Sequence, residues 1–118
     1  IVFVANALRE AGMDGVVATN TTISRDLVKD HPYGGEVGGL SGNPVRQASL
    51  RVIQRLYQEL GEEIPIIGVG GISDGESAAE KIRAGAKLVQ VYTGFIYRGP
   101  ALIGEAVEGI RRGGGPSA

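Results

Sequence analysis

Ile64-Pro65-Ile66-Ile67-Gly68-Val69-Gly70-Gly71-Ile72 is a short apolar run that exits into paired glycines, and Leu88-Val89-Gln90-Val91-Tyr92-Thr93-Gly94 repeats the pattern further along. Each reads as a buried parallel strand. Glycine at a strand exit lets backbone N–H groups come close to an anion, and two such exits from consecutive strands can grip one phosphate from both sides.

The flanking segments supply the crossovers such strands need. After the first run, Ser73 or Asp74 is placed to cap a helix that runs to Ala84 and stops at Gly85. After the second, the sequence predicts a turn and then a helix opened by Pro100. It carries Leu102, Ile103, Ala106, Val107 and Ile110 on one face, ends before Arg111, and leaves residues 113–118 as a frayed, flexible tail. Upstream, Pro44 opens a helix whose apolar positions Val45, Ala48, Val52, Ile53, Leu56 and Leu60 lead to Gly61. Before it, Asp14 to Asn20 reads as a strand buried on both faces, and Val4, Ala7, Leu8 and Ala11 give a first helix from Val2 to Ala11. The stretch from Thr21 to Asn43 has no sustained period, and loops of that length usually serve a site.

The element order is α-β-α-β-α-β-α, which calls for parallel strands joined by right-handed crossovers. Three such strands leave both sheet edges unpaired. A (β/α)8 TIM barrel takes roughly 250 residues, so 118 residues with three βα units are expected to be the C-terminal part of an α/β barrel. Residues 1–118 then form one segment of a single domain in a longer protein.

Composition narrows the function. A net charge of -1 with no basic run gives no footprint for nucleic acid. The absence of cysteine removes disulfides and thiolate chemistry, and the single histidine, His31, argues against a histidine-based metal site, so an intracellular, metal-free protein is expected. His31 sits in a polar loop and reads as a surface residue. The apolar start, Ile1 to Ala5, is too short to span a bilayer.

The candidate chemistry lies at the strand ends. Backbone N–H groups of Gly71, Tyr92 and Thr93, with the Thr93 hydroxyl and the flexible Gly70 and Gly94 beside them, suit a terminal phosphate; at Gly70 and Gly71 a plain tight turn is the alternative. Asn20 offers donors and an acceptor in one plane, as a small ring with alternating C=O and N–H groups would require. Thr19 and Thr21 flank it with hydroxyls. Local capping of the loop is the competing role for these residues. Gly38-Gly39-Leu40-Ser41-Gly42-Asn43-Pro44 brings a further glycine-rich turn to a helix start, either as a ligand contact or as a hinge. Ser41 has no base near it in sequence and reads as a loop residue, not a nucleophile.

Taken in order, Ala18-Thr19-Asn20-Thr21-Thr22, Gly38-Gly39-Leu40-Ser41-Gly42, Gly68-Val69-Gly70-Gly71-Ile72 and Leu88 through Pro100 resemble the C-terminal part of the dihydroorotate dehydrogenases. The Gly-Leu-Ser-Gly turn and the Tyr-Thr-Gly-Phe-Ile-Tyr-Arg-Gly-Pro ending look like the quinone-dependent, membrane-associated class. The resemblance implies an FMN enzyme of pyrimidine biosynthesis that oxidises (S)-dihydroorotate to orotate and passes electrons to ubiquinone or menaquinone. It places Thr19, Gly42, Gly71, Tyr92 and Thr93 at FMN-binding positions and Asn20 and Thr21 at orotate-binding positions. It also implies a peripheral location on the cytoplasmic side of the membrane, through an N-terminal region that this chain does not carry.

The family's serine base matches nothing in these residues, being expected upstream of Ile1 together with the rest of the barrel. No catalytic residue is therefore assigned here, and the segment alone is expected to be inactive. Two other readings share the same glycine exits: another FMN or phosphate-binding barrel enzyme, and a non-catalytic phosphate-binding module.

Overall fold

The strands pair in the order in which they occur in the sequence, so both crossovers turn the same way and the two crossover helices land on the same side of the sheet. The computed structural model describes residues 1–113. Its elements are α1 (Val2–Glu10), β1 (Val16–Ala18), a 3-10 turn (Asn43–Val45), α2 (Arg46–Leu60), β2 (Ile66–Val69), α3 (Gly75–Arg83), β3 (Leu88–Gln90), α4 (Thr93–Arg98) and α5 (Ala101–Gly113). All pairing is parallel, with Val17 opposite Ile67 and Ile67 opposite Leu88.

Local signals explain the boundaries. Asp74, not Ser73, caps α3. Its carboxylate accepts from the Ser77 N–H at 2.7 Å, while the Asp74 N–H donates to Ser77 Oγ at 3.1 Å, a reciprocal capping box. Helix α2 stops at Gly61, whose N–H still donates to the Tyr57 carbonyl while its φ of +55° turns the chain out of the helix.

The core lies between the sheet and its helices. Ile53, Leu56 and Leu60 of α2 meet Ile64, Ile66, Ala84 and Ala86, and Ala5 of α1 closes the end. Gly68 marks the closest approach, because a Cβ there would stand 3.2 Å from Ile53, Lys81 and Ala86 side-chain atoms. A second cluster, Ile72, Ala78 and Ala106, packs α3 against α5. At that seam a Cβ on Gly109 would fall 2.2 Å from the Gly75 carbonyl oxygen, so the two backbones touch.

Three expectations need correction. The first strand is buried on one face only: Val17 is 53% exposed, as is its row-mate Leu88 at 63%, because same-handed crossovers leave the opposite face without helices. The segment after β3 is the short helix α4, not a turn, since Tyr92 accepts the N–H groups of Phe95 and Ile96. Helix α5 runs past Ile110 to Gly113, where Arg111 and Arg112 pair with Glu108 one turn back. Gly113 is thus helical, and the rest of the expected tail, 114–118, lies outside the described residues.

Candidate functional site

Parallel strands deliver their C-terminal ends to one edge of the sheet, so the turns after β1, β2 and β3 meet there. They line a cavity of about 350 Å³. From the β1 end come Thr19, Asn20 and Thr21, from β2 Gly70 and Gly71, and from β3 Tyr92, Thr93 and Gly94. Gly42 joins them from the far end of the long loop. The residues given a cofactor- or substrate-binding role from the sequence therefore all border one cavity, while of the Gly38-to-Pro44 turn only Ser41 and Gly42 do.

Backbone conformation explains the glycines. Gly70 and Gly71 have φ of +122° and +73°, a region L side chains rarely adopt. Space is equally decisive, since a Cβ on Gly71 would lie 2.5 Å from the Arg46 Cα and one on Gly70 3.0 Å from Ser49 Oγ. The start of α2 is pressed directly onto this turn. Buried Ser49 holds it by donating to the Val69 carbonyl at 2.8 Å, and the same oxygen accepts the Thr19 N–H at 2.9 Å. The first two strand ends are thereby tied together.

The third end is tied to the loop. Ser41 Oγ and Thr93 Oγ1 share a hydrogen bond of 2.6 Å, and a Cβ on Gly42 would press within 3.1 Å of Thr93 Cγ2. Thr93 opens α4, and the first N–H groups of a helix have no partner within it. Asn20 Oδ1 accepts the N–H of Thr21 at 2.8 Å. The local capping role is thus real for its oxygen, while its Nδ2 keeps two protons to offer. The Ala18–Thr19 peptide is cis.

Among the described residues, no charged side chain lines this cavity. Arg46, whose main chain packs on Gly71, has its guanidinium held by Glu80 through bonds of 3.0 and 2.8 Å. That hydrogen bond and charge raise the Arg46 pKa above its ordinary value, outweighing burial. Attraction for an anion here comes from N–H dipoles and hydroxyls. A second cavity of about 590 Å³ shares the wall formed by Ser41, Gly42, Thr93 and Gly94 and includes His31, Tyr33, Tyr97 and Arg98. His31 is exposed, as expected, and its Nδ1 accepts the Tyr33 N–H.

Sequence reasoning passed over two lining residues. Ser41 was assigned only to the loop, although its place in a Gly-Leu-Ser-Gly turn next to Gly42 was the available signal. Gln90, a polar side chain on a strand of otherwise apolar residues, lines the floor beside Val17 and Val69.

Comparison with known proteins identifies the family and the fold. The family model described as dihydroorotate dehydrogenase matches residues 1–112. Proteins named dihydroorotate dehydrogenase (quinone) from Marinobacter nauticus and Pseudomonas putida are 74% and 61% identical, covering 93% and 91% of this chain. The chain spans only 32% and 31% of those relatives. Among solved structures, the ligand-free DHODH of Eimeria tenella superposes with a TM-score of 0.86 at 38% identity, over 92% of this chain and 30% of that one. The ferulenol complex from the same organism gives 0.84 at 37%, over 96% and 31%. A one-sided sheet whose strand ends converge on a charge-free cavity is thus the shape of a partial barrel, and the chain belongs to the dihydroorotate dehydrogenase family.

Proposed function

We propose that this chain is the C-terminal part of a quinone-linked dihydroorotate dehydrogenase and supplies the phosphate end of an FMN site with part of the orotate site. One observation carries the reading: four segments distant in sequence bring hydroxyls, an amide and positive-φ glycines to one cavity free of charged side chains. The cavity suits the phosphate end of FMN. Side chains are excluded at Gly70 and Gly71 by conformation and contact, so an anion can approach the main chain, and no carboxylate opposes it.

In the proposed enzyme, Gly71, Tyr92 and Thr93 donate main-chain N–H groups to the phosphate, with the Thr93 hydroxyl as a further donor. Gly70, Gly94 and Gly42 keep the approach open, and Thr19 hydrogen-bonds the cofactor from the β1 end. Asn20 and Thr21 orient the pyrimidine ring through its amide edges. FMN held there would supply the hydride acceptor for oxidation of (S)-dihydroorotate and the electron link to ubiquinone or menaquinone in pyrimidine biosynthesis. The proton-abstracting serine, the remaining strands and the peripheral contact with the cytoplasmic face of the membrane belong to the rest of the longer protein. The segment by itself is inactive on this reading.

The test uses the full-length protein that carries this sequence. It should purify with bound flavin, reduce a quinone when given dihydroorotate, and be inhibited by orotate. Asn20→Ala should retain flavin and raise the KM for dihydroorotate about tenfold, since a ring atom loses its partner. Absence of flavin would leave only the phosphate-binding module. Bound flavin without orotate inhibition would indicate another barrel enzyme.

A further inference from the structure

The long loop between β1 and α2 is drawn into a hairpin by a bridge between its arms and by one arginine that spans them. Its arms meet at Thr22 and Leu40, where the Thr22 N–H donates to the Leu40 carbonyl at 3.0 Å and the Leu40 N–H returns to the Thr22 carbonyl at 2.7 Å. Next to this bridge a Cβ on Gly39 would lie 1.8 Å from Thr21 Oγ1, so the arms are in contact at a residue that borders the cavity.

Arg25, half-buried, spans the two arms. Its Nη1 donates to the Thr22 carbonyl at 3.3 Å, and its Nη2 donates to the Glu36 and Gly38 carbonyls at 3.0 and 2.5 Å. Glu36 is engaged through its main chain. A guanidinium is suited to this work, because its fixed planar fork reaches acceptors on both arms at once, which a single ammonium cannot do.

We propose that Arg25 is a positioning residue, clamping the arms of the loop from Thr21 to Ser41 so that Asn20-Thr21 and Ser41-Gly42 are held at the cavity rim. One arm leads from Thr22 into Thr21 and Asn20, and the other from Gly38 into Leu40 and Ser41, whose hydroxyl bonds Thr93. Arg25 acts through these residues and touches neither cofactor nor substrate. The consequence for substrate binding rests on the function proposed above; the clamp itself does not.

The experiment compares Arg25→Gln and Arg25→Lys with the parent in the full-length protein. Cleavage after exposed Lys29 by a lysine-specific protease should quicken about tenfold in Arg25→Gln, because loop opening no longer has to break the clamp. The KM for dihydroorotate should rise about tenfold, with kcat changed less than about twofold and flavin retention weakened no more than in Ser41→Ala. Arg25→Lys should fall between the two. An unchanged cleavage rate in both variants overturns the clamp. Faster cleavage with an unchanged KM overturns the positioning role, as does a joint fall of kcat, flavin content and melting temperature in both variants. A parent protein that does not oxidise dihydroorotate would refute the proposed function, with the protease rates still deciding the clamp.

Discussion

The hydroxyls of Ser41 and Thr93 stand 2.6 Å apart and join the end of the long loop to the first residue of α4. With Ser41 as its partner, the Thr93 hydroxyl oxygen is held in place before any ligand arrives. Ser41→Ala should therefore weaken FMN retention about fivefold, and Thr93→Val more, because the second change also deletes the proposed donor. Flavin release measured by fluorescence under dilution checks this. Equal retention in all three proteins would remove the pair from the cofactor site.

Gly71→Ala should be costly in two ways at once. The φ of +73° strains any L side chain, and the new Cβ would meet the Arg46 Cα at 2.5 Å. We expect a loss of about 2–4 kcal/mol in urea unfolding, accompanied by loss of flavin. Gly104→Ala, at a helical site where a Cβ meets nothing within 4 Å, is the control and should be neutral or slightly stabilising.

Lys81 is almost wholly buried on α3, and burial pushes its pKa from 10.5 down to about 8, with Glu80 opposing and Arg46 reinforcing the shift. The folded state then holds fewer protons than the unfolded state between about pH 8 and 10.5. Stability attributable to this group rises with pH across that window, and the penalty is fully present below it. Lys81→Met should thus stabilise the protein at pH 7, and the advantage should fade by about pH 10.5. Denaturant midpoints of both proteins across that range give the comparison. A constant difference would show that Lys81 does not titrate in the fold.

The Asp74 carboxyl lies below its ordinary 3.8, first because the Ser77 hydroxyl and N–H donate to its ionised form, with help from Arg46 and Arg98. Its contribution is present above pH 3.8 and is lost as acidification passes the folded pKa. Asp74→Ala should cost about 1 kcal/mol near neutrality and progressively less in acid. Thermal melts at two pH values would reveal the trend.

The strands and helices α1, α2, α3 and α5 were legible because each carries a strong local signal. Ile53, Leu56 and Leu60 repeat at helical spacing, and paired glycines punctuate the strand ends. Asp74 competes with Ser73 for the cap on equal chemical terms, and only tertiary placement decides between them. Helix α4 escaped notice because six residues containing a glycine and flanked by Gly99 and Pro100 look locally like a turn. The single-sided burial of β1 was likewise hidden, since Val16 and Val17 are the same residue type on opposite faces. The lining residues were readable at the strand ends, where topology gathers them. The Ser41–Thr93 bond and the Arg25 clamp were not, because contacts across 52 and 13 positions have no local period.

The contact between Gly75 and Gly109 lies on the outer seam of α3 and α5, away from the lined cavity. Helix α5 also carries Leu102, whose Cδ2 would lie 3.1 Å from a Cβ on Gly94. A methyl group at position 109 would push the whole rod outward and, through Leu102, tilt the turn from which Thr93 projects. A mutagenesis survey confined to the rim would miss this lever. A methyl group at this remote, chemically silent glycine is therefore expected to cost stability through the α3–α5 seam, and mutagenesis should weigh position 109 alongside the rim itself.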